Sequence, residues 1–293
     1  MESYKLQYAS DLHLDKDSPP FSVLIEPVAP DLALCGDIGS PWSSVYSDFL
    51  KWCSTRWQRV FLIAGNHEYF TSDSTKTYDD TENQIRTVAA GAGSNIIYLQ
   101  RGSYRIDAYK IIVVGATLWT EPDIRHWDKM SSGVIGYPGY RGEYDAIWMK
   151  DEYTGKPRNL HPSDVIQLHL RDREFFKQFL NNTWGSVADM EDDWRIIVLS
   201  HHLPSFSLNP AKFAGHPLVS CYAVALDDLI KEPIVAWLCG HSHTAMNKRF
   251  DAGPIVALNP LGYKSEAGTS GYSRNATVTV YRENIAIARN GQK

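Results

Sequence analysis

The chain has 293 residues, 43% of them hydrophobic and 22% charged, with a formal net charge of −5. That composition suits a globular protein with a sizeable core. It carries no long basic block, which argues against a dedicated nucleic-acid coat, and no apolar run reaches the length of a membrane span.

The first residues, Met1-Glu2-Ser3-Tyr4-Lys5, do not lead into an apolar signal core. A first strand is expected over 5–10, ending at Asp11. The next strand, 31–35, closes on Gly36-Asp37. A helix over 41–55 buries Val45, Phe49, Trp52 and Cys53 on one face. The strand over 59–64 runs into Gly65-Asn66-His67-Glu68. A second helix, 81–89, opens with Thr81 and Gln84 spaced as a capping box and turns Ile85, Val88 and Ala89 inward. Short strands over 96–99, 103–106 and 110–116 follow, so the first part reads β-α-β-α-β, an α/β pattern.

Residues 121–162 have little periodicity and many Gly, Tyr and Trp residues, as in a long functional loop. A helix over 163–181 follows, then a strand over 194–200 ending at His201-His202. A short helix is expected over 224–230, and a strand over 234–239 ends at Gly240-His241-Ser242-His243. Strands over 255–258, 277–281 and 285–288 complete the chain. One domain, 1–293, is expected. The four cysteines, Cys35, Cys53, Cys221 and Cys239, lack Cys-x-x-Cys spacing. They read as reduced thiols of a cytoplasmic protein, in which the sequons at Asn181 and Asn275 are chance matches.

Five strand ends thus deliver Asp, Asn and His in the same manner: Asp11 and His13, Asp37, Asn66 and His67, His201 or His202, and His241 and His243. Carboxylates with imidazoles suit divalent Mn, Fe or Zn. One Asp can bridge two such ions, and a pair of ions can hold a hydroxide between them and polarise a phosphoryl oxygen. A histidine beside the ions but not bound to them could then protonate the leaving oxygen.

In this order the five motifs, Asp-x-His, Gly-Asp, Gly-Asn-His-Glu, His and Gly-His-x-His, resemble those of the calcineurin-like metallophosphoesterases. The stretches Gly115-Ala116-Thr117-Leu118-Trp119 and Asn259-Pro260-Leu261-Gly262-Tyr263 are similar to a bacterial-type phosphohydrolase branch. The resemblance implies two packed mixed β-sheets flanked by helices, an α/β sandwich with the motifs at one edge. It implies two divalent ions: Asp11, His13 and His243 for one, Asn66, His201 and His241 for the other, with Asp37 between them. His67 would be the acid or transition-state stabiliser. By that resemblance the chain is a dinuclear hydrolase of a phosphodiester or phosphomonoester.

The Asp-Arg-Gly and the Arg-Gly-Asn-His-Glu of the protein phosphatases are absent here, which disfavours a phosphoprotein substrate. A nuclease is a second reading, disfavoured by the acidic charge. A non-catalytic scaffold is a third, opposed by the complete set of site residues. No membrane and no partner protein is expected. Among the neighbours, His202 is read as a substrate contact or as a support for a ligand, and Glu68 as a hydrogen-bond partner. Tyr69 and Trp119 read as packing residues, with substrate contact as the alternative. His126, His161, His169 and His216 read as surface or loop residues, and Arg125, Arg141 and Lys150 as solvated, with a phosphate contact as the alternative for these three. The loop could be a lid, with Trp127, Tyr137, Tyr140, Tyr144 and Trp148 walling the substrate, Glu143 and Asp145 adding charge, and hinges at Gly133, Gly136, Gly139 and Gly142. The competing reading is a packed flap.

Overall fold

A computed structural model of the chain describes residues 3–126, 144–187, 194–216, 218–251, 253–281 and 285–289. In chain order it runs β1 (Tyr4–Ala9), α1 (Phe21–Leu24), β2 (Asp31–Cys35), α2 (Ser44–Ser54), β3 (Arg59–Ile63), α3 (Tyr78–Ala92), β4 (Ile96–Tyr98), β5 (Gly102–Ile106) and β6 (Ile111–Gly115). A small hairpin of β7 (Trp148–Lys150) and β8 (Pro157–Asn159) precedes α4 (Pro162–Val187). Then come β9 (Arg195–Leu199), β10 (Ile234–Cys239), β11 (Met246–Arg249), β12 (Ile255–Leu258), β13 (Thr277–Val280) and β14 (Ile285–Ala288).

The strands form two six-stranded mixed sheets, ordered β14-β13-β1-β2-β3-β4 and β11-β12-β10-β9-β6-β5. Within the first, β1 to β4 are parallel; within the second, β6, β9, β10 and β12 are parallel. Strands buried on both faces read as continuous apolar runs, as β2 does with all five residues buried. The sheets face each other across a core that includes Leu6, Ala33 and Phe61 from one and Val113, Ile197 and Ala236 from the other. Helices α2 and α3 cover the outside of the first sheet with Phe49, Cys53 and Ile85. Helix α4 covers the second with Phe176 and Leu180. Beyond β1 and β12, Ser10 bridges Pro260 and joins the two sheets at one edge. The expected α/β sandwich is therefore the fold.

Two local expectations need correction, and strands β7, β8 and β11 were not expected. Helix α3 starts earlier, at a capping box in which Thr77 N donates to Asp80 Oδ2 at 3.0 Å; Thr81 lies inside the helix and Gln84 instead donates to Pro41 O. The segment 224–230 forms only a 3₁₀ turn, Asp227–Leu229, being too short to offset helix nucleation. Strand β11, unforeseen, has no apolar alternation in Met246-Asn247-Lys248-Arg249. It is an edge strand of polar character, which discourages pairing with another chain.

Candidate metal centre

The parallel strands β1, β2, β3, β9 and β10 all end at the same edge, and the residues just past those ends are the ones the sequence singled out. Asp11, His13, Asp37, His241 and His243 adopt left-handed backbone, with φ of 54°, 44°, 54°, 69° and 49°. Such conformations cost a side-chain-bearing residue about 1–3 kcal/mol and persist only where the surroundings enforce them. Backbone bonds enforce them here: Asp11 N donates to Gly36 O at 3.0 Å, His13 N to Asp37 O at 3.0 Å, and Gly240 N to His201 O at 2.9 Å. Gly36 and Gly65 are required by crowding. A Cβ on Gly36 would lie 2.5 Å from His201 Nδ1, and one on Gly65 would strike the Asp37 carboxylate.

The side chains converge. His13 Nε2 and His243 Nε2 are 3.1 Å apart, and His243 Nε2 is 3.4 Å from Asp11 Oδ1. On the other side, His201 Nε2 is 3.0 Å from Asn66 Oδ1, and the His201 and His241 rings are 5.0 Å apart. Asp37 stands between: its Oδ1 is 3.4 Å from His201 Nε2, while its Oδ2 is 3.9 Å from both His13 Nε2 and His67 Nε2. Among the described residues, three overlapping groups have ligand atoms close enough to share an ion: Asp11, His13 and His243; His13, Asp37 and His67; and Asp37, His201 and His241.

The electrostatics ask for cations at two places. Burial opposes charge on His201, but Asp37, then Asp11 and the Cys35 carbonyl, hold its pKa up at about 10. Burial likewise opposes charge on His243, which Asp11 and Glu266 hold up at about 9. Burial pushes His13 down to about 4 despite Asp37, and burial with the neighbouring His202 and His201 pushes His241 down. Asp37, although buried, is held well below the usual carboxylate range by His201 and His67. Asp37 and Asp11 thus favour charge on His201 and His243, whereas burial disfavours it on His13 and His241. His241 Nε2, buried, has no hydrogen-bond partner among the described residues. A buried, unsatisfied imidazole nitrogen beside a carboxylate is an atom that a cation would satisfy, so the donor set fits divalent ions.

The surroundings hold this cluster in place. Glu68, expected as a hydrogen-bond partner, accepts from Gly65 N, Asp37 N and Ile38 N at 2.7, 2.9 and 2.7 Å. Burial, then the Asp37 charge, push its pKa up to about 7 against His201 and the backbone donors. His202 is buried with its ring 4.4 Å from that of His241 and 5.7 Å from Trp119. It lies outside the three groups, a placement that favours support over substrate contact. Tyr69 and Trp119 are buried packing residues, as read. His169 is not at the surface: it is buried and its Nδ1 meets Trp119 O, since α4 turns it toward the sheet. Two residues escaped the sequence reading. Glu266 Oε2 sits 2.6 Å from His243 Nδ1, and Tyr263 Oη is 2.9 Å from His67 Nε2. Neither has a spacing signal; Tyr263 was visible only as part of the Asn259-to-Tyr263 stretch.

Beside His13 and His67 opens a groove of about 520 Å³, lined also by Ser40, Phe70, Tyr263 and Lys264. Lys264 is paired with Asp15 at 2.8 Å, and Arg125 is paired with Asp123. Of the stretch expected as a lid, Trp127, Tyr137, Tyr140, Arg141, Glu143 and the four glycines lie outside the described residues. Of its described residues, Tyr144 is buried in a core cluster with residues of α2 and α3, and Trp148 Nε1 donates to Thr71 O at 3.1 Å, whereas Tyr153 is exposed.

A family profile described as calcineurin-like phosphoesterase matches residues 8–245. An uncharacterized protein of Acanthamoeba polyphaga mimivirus is 28% identical over 282 residues, covering 89% of this chain and 92% of that protein. Among solved structures, the phosphopantetheinyl hydrolase of Mycobacterium tuberculosis aligns with a TM-score of 0.55 at 17% identity, over 90% of this chain and 91% of the other. A dimetal phosphatase from Danio rerio aligns with a TM-score of 0.51 at 10% identity, over 98% and 96%. At such identities the two structures speak for the fold alone. Among the described residues no helix is long and apolar enough to cross a membrane.

Proposed function

The chain belongs to the calcineurin-like phosphoesterase family and is a phosphoric ester hydrolase, and from that premise we propose that it cleaves a small phosphate ester at a centre of two divalent ions. In this reading residues 1–293 form one catalytic domain. Asp11, His13 and His243 hold one ion; Asn66, His201 and His241 hold the other; Asp37 binds both. When bound, the ions polarise the phosphoryl oxygens and make a nucleophile of water near neutral pH. The observation that carries the proposal is Asp37, whose two oxygens address imidazoles on opposite sides, His201 from Oδ1 and His13 from Oδ2. His67, at the groove side of Asp37, donates the proton that the departing oxygen needs. His202 backs His241.

A small substrate is favoured over nucleic acid by the charge of the groove. Its described lining offers one ammonium or guanidinium group, Lys264, and Asp15 neutralises it. A strand's phosphates need several such cations. The test is metal analysis with anomalous scattering on reconstituted protein, alongside turnover of p-nitrophenyl phosphate, bis-p-nitrophenyl phosphate and a nicking assay. Two ions per chain, activity lost to chelator and restored by Mn or a similar ion, and little nicking are expected. Full activity with a single ion at saturating metal would sink the dinuclear reading. Nicking far faster than either small ester would install the nuclease instead.

A further inference from the structure

We infer that Tyr263 is a positioning residue that selects which edge of the His67 imidazole faces the groove; the inference rests on the reading of His67 as the leaving-group acid. The Tyr263 hydroxyl is 2.9 Å from His67 Nε2. Its ring lies 4.5 Å from the rings of both His13 and His243. One side chain therefore touches the acid and two members of the first ion set. Tyr263 is 38% exposed, so burial contributes little to holding it there.

What holds it is the turn beneath. Gly262 N donates to Asp11 O at 3.0 Å. Glu266 Oε2 accepts from Tyr263 N at 2.9 Å and from His243 Nδ1 at 2.6 Å. A single carboxylate thus fixes both the ring of His243 and the backbone that launches Tyr263. Carboxylates behind a metal-binding imidazole commonly set its orientation; this one extends that control to a second histidine.

On its other side His67 packs against Phe70, with ring centres 4.2 Å apart and planes tilted by 31°. Packing of that kind fixes the plane of an imidazole but not its edge. Turned over within the same plane, the ring would present a carbon where Nε2 now stands. The hydroxyl breaks that degeneracy, because it pairs with Nε2 and would find no hydrogen-bond partner in a ring carbon. Nε2 then stays on the groove side, 3.9 Å from Asp37 Oδ2, where a departing oxygen can take its proton.

The experiment compares wild type, Y263F, H67A and the double variant, all metal-loaded, on an alkyl phosphate ester and on p-nitrophenyl phosphate. For Y263F, a roughly tenfold fall in kcat is expected on the alkyl ester and less than about threefold on the nitrophenyl ester, whose leaving group needs little proton help. Metal content should be unchanged, and Y263F should add nothing to H67A. In the zinc-loaded protein the ring nitrogen resonances of His67 should move in Y263F while those of His201 stay. Equal losses on both esters, additive losses in the double variant, or an unmoved His67 signal would overturn the inference. If H67A itself shows no dependence on the leaving group, the acid assignment has failed, and the His67 resonances alone decide whether Tyr263 positions the ring.

Discussion

Glu68 shows how much of the site depends on one side chain that touches no candidate ion position. Its two oxygens take three backbone N–H groups, those of Gly65, Asp37 and Ile38. These donors flank Asp37 and precede Asn66, so the carboxylate fixes the turns after β2 and β3 against each other. Glutamine has one oxygen and an NH₂ that cannot accept. Whichever way the amide turns, at least one buried backbone donor faces another donor. E68Q should therefore lose about 2–4 kcal/mol of stability, read as a lower urea midpoint with an unchanged slope, and should bind metal more weakly because Asp37 and Asn66 are no longer held. An unchanged midpoint in E68Q would mean that these turns hold without it. Asp37→Asn asks a different question at the same scale: it keeps the shape but removes charge, so it should weaken both ions together.

Among elements, the strands that carry the site were the legible part. Each is a short apolar run cut off by Asp, Asn or His, and parallel pairing brings those ends to one edge. What stayed hidden depends on contacts distant in sequence. The capping partner of α3 is Asp80, one turn earlier than the pattern suggested. His169 and Asp172 lie on α4, which reads as an ordinary amphipathic helix. Yet Asp172 is buried and accepts from Arg101 Nη1 at 2.8 Å and Leu118 N at 2.9 Å. Leu118 has φ +55°, a strained conformation for a leucine. Just before it, Thr117 O accepts from both His201 N and His202 N. Asp172 thereby ties α4 to the turn that supports the second ion set. Burial outweighs Arg101 and the backbone donors and raises its pKa from 3.8 to about 6. The native state then holds this proton more tightly than the unfolded chain, so the contribution is full below pH about 4 and is lost as pH rises through about 6. At about 1.4 kcal/mol per pH unit this amounts to about 3 kcal/mol. D172N cannot titrate. Its unfolding free energy relative to wild type should climb by about that much between pH 4 and pH 7 in urea titrations. A difference that stays flat with pH would show that Asp172 ionises as readily in the native state as in the unfolded chain.

For the whole molecule, the decisive feature is that each proposed ion set draws on both sheets. Asp11, His13, Asp37 and Asn66 follow strands of the first sheet; His201, His241 and His243 follow strands of the second. Bound ions would therefore clamp the two halves of the sandwich at the edge where Ser10 bridges Pro260. Unfolding scatters the ligands, so metal that binds the native state alone adds about 2.7 kcal/mol per site at a hundredfold excess over Kd. At about 2–4 °C per kcal/mol, two sites should raise Tm by roughly 10–20 °C, and chelator should remove the gain. The cysteines offer an independent probe. Cys35 lies in the core between the sheets, Cys239 in the layer under α4, and Cys53 and Cys221 in the layer under α2 and α3. All four are buried, and burial raises the thiol pKa of Cys35, Cys53 and Cys239. A disulfide-exchange reagent should reach them only when the layers part, because burial denies it access before that. Metal should slow the reaction of Cys35 and Cys239, which end the strands leading to Asp37 and His241. In Asp37→Asn, which breaks the ligand shared by both sets, most of the thermal gain and most of the thiol protection by metal should vanish together. A wild-type protein whose Tm and thiol reactivity ignore metal, or a D37N variant that keeps both responses, would show that the two sheets are not joined through ions at this edge.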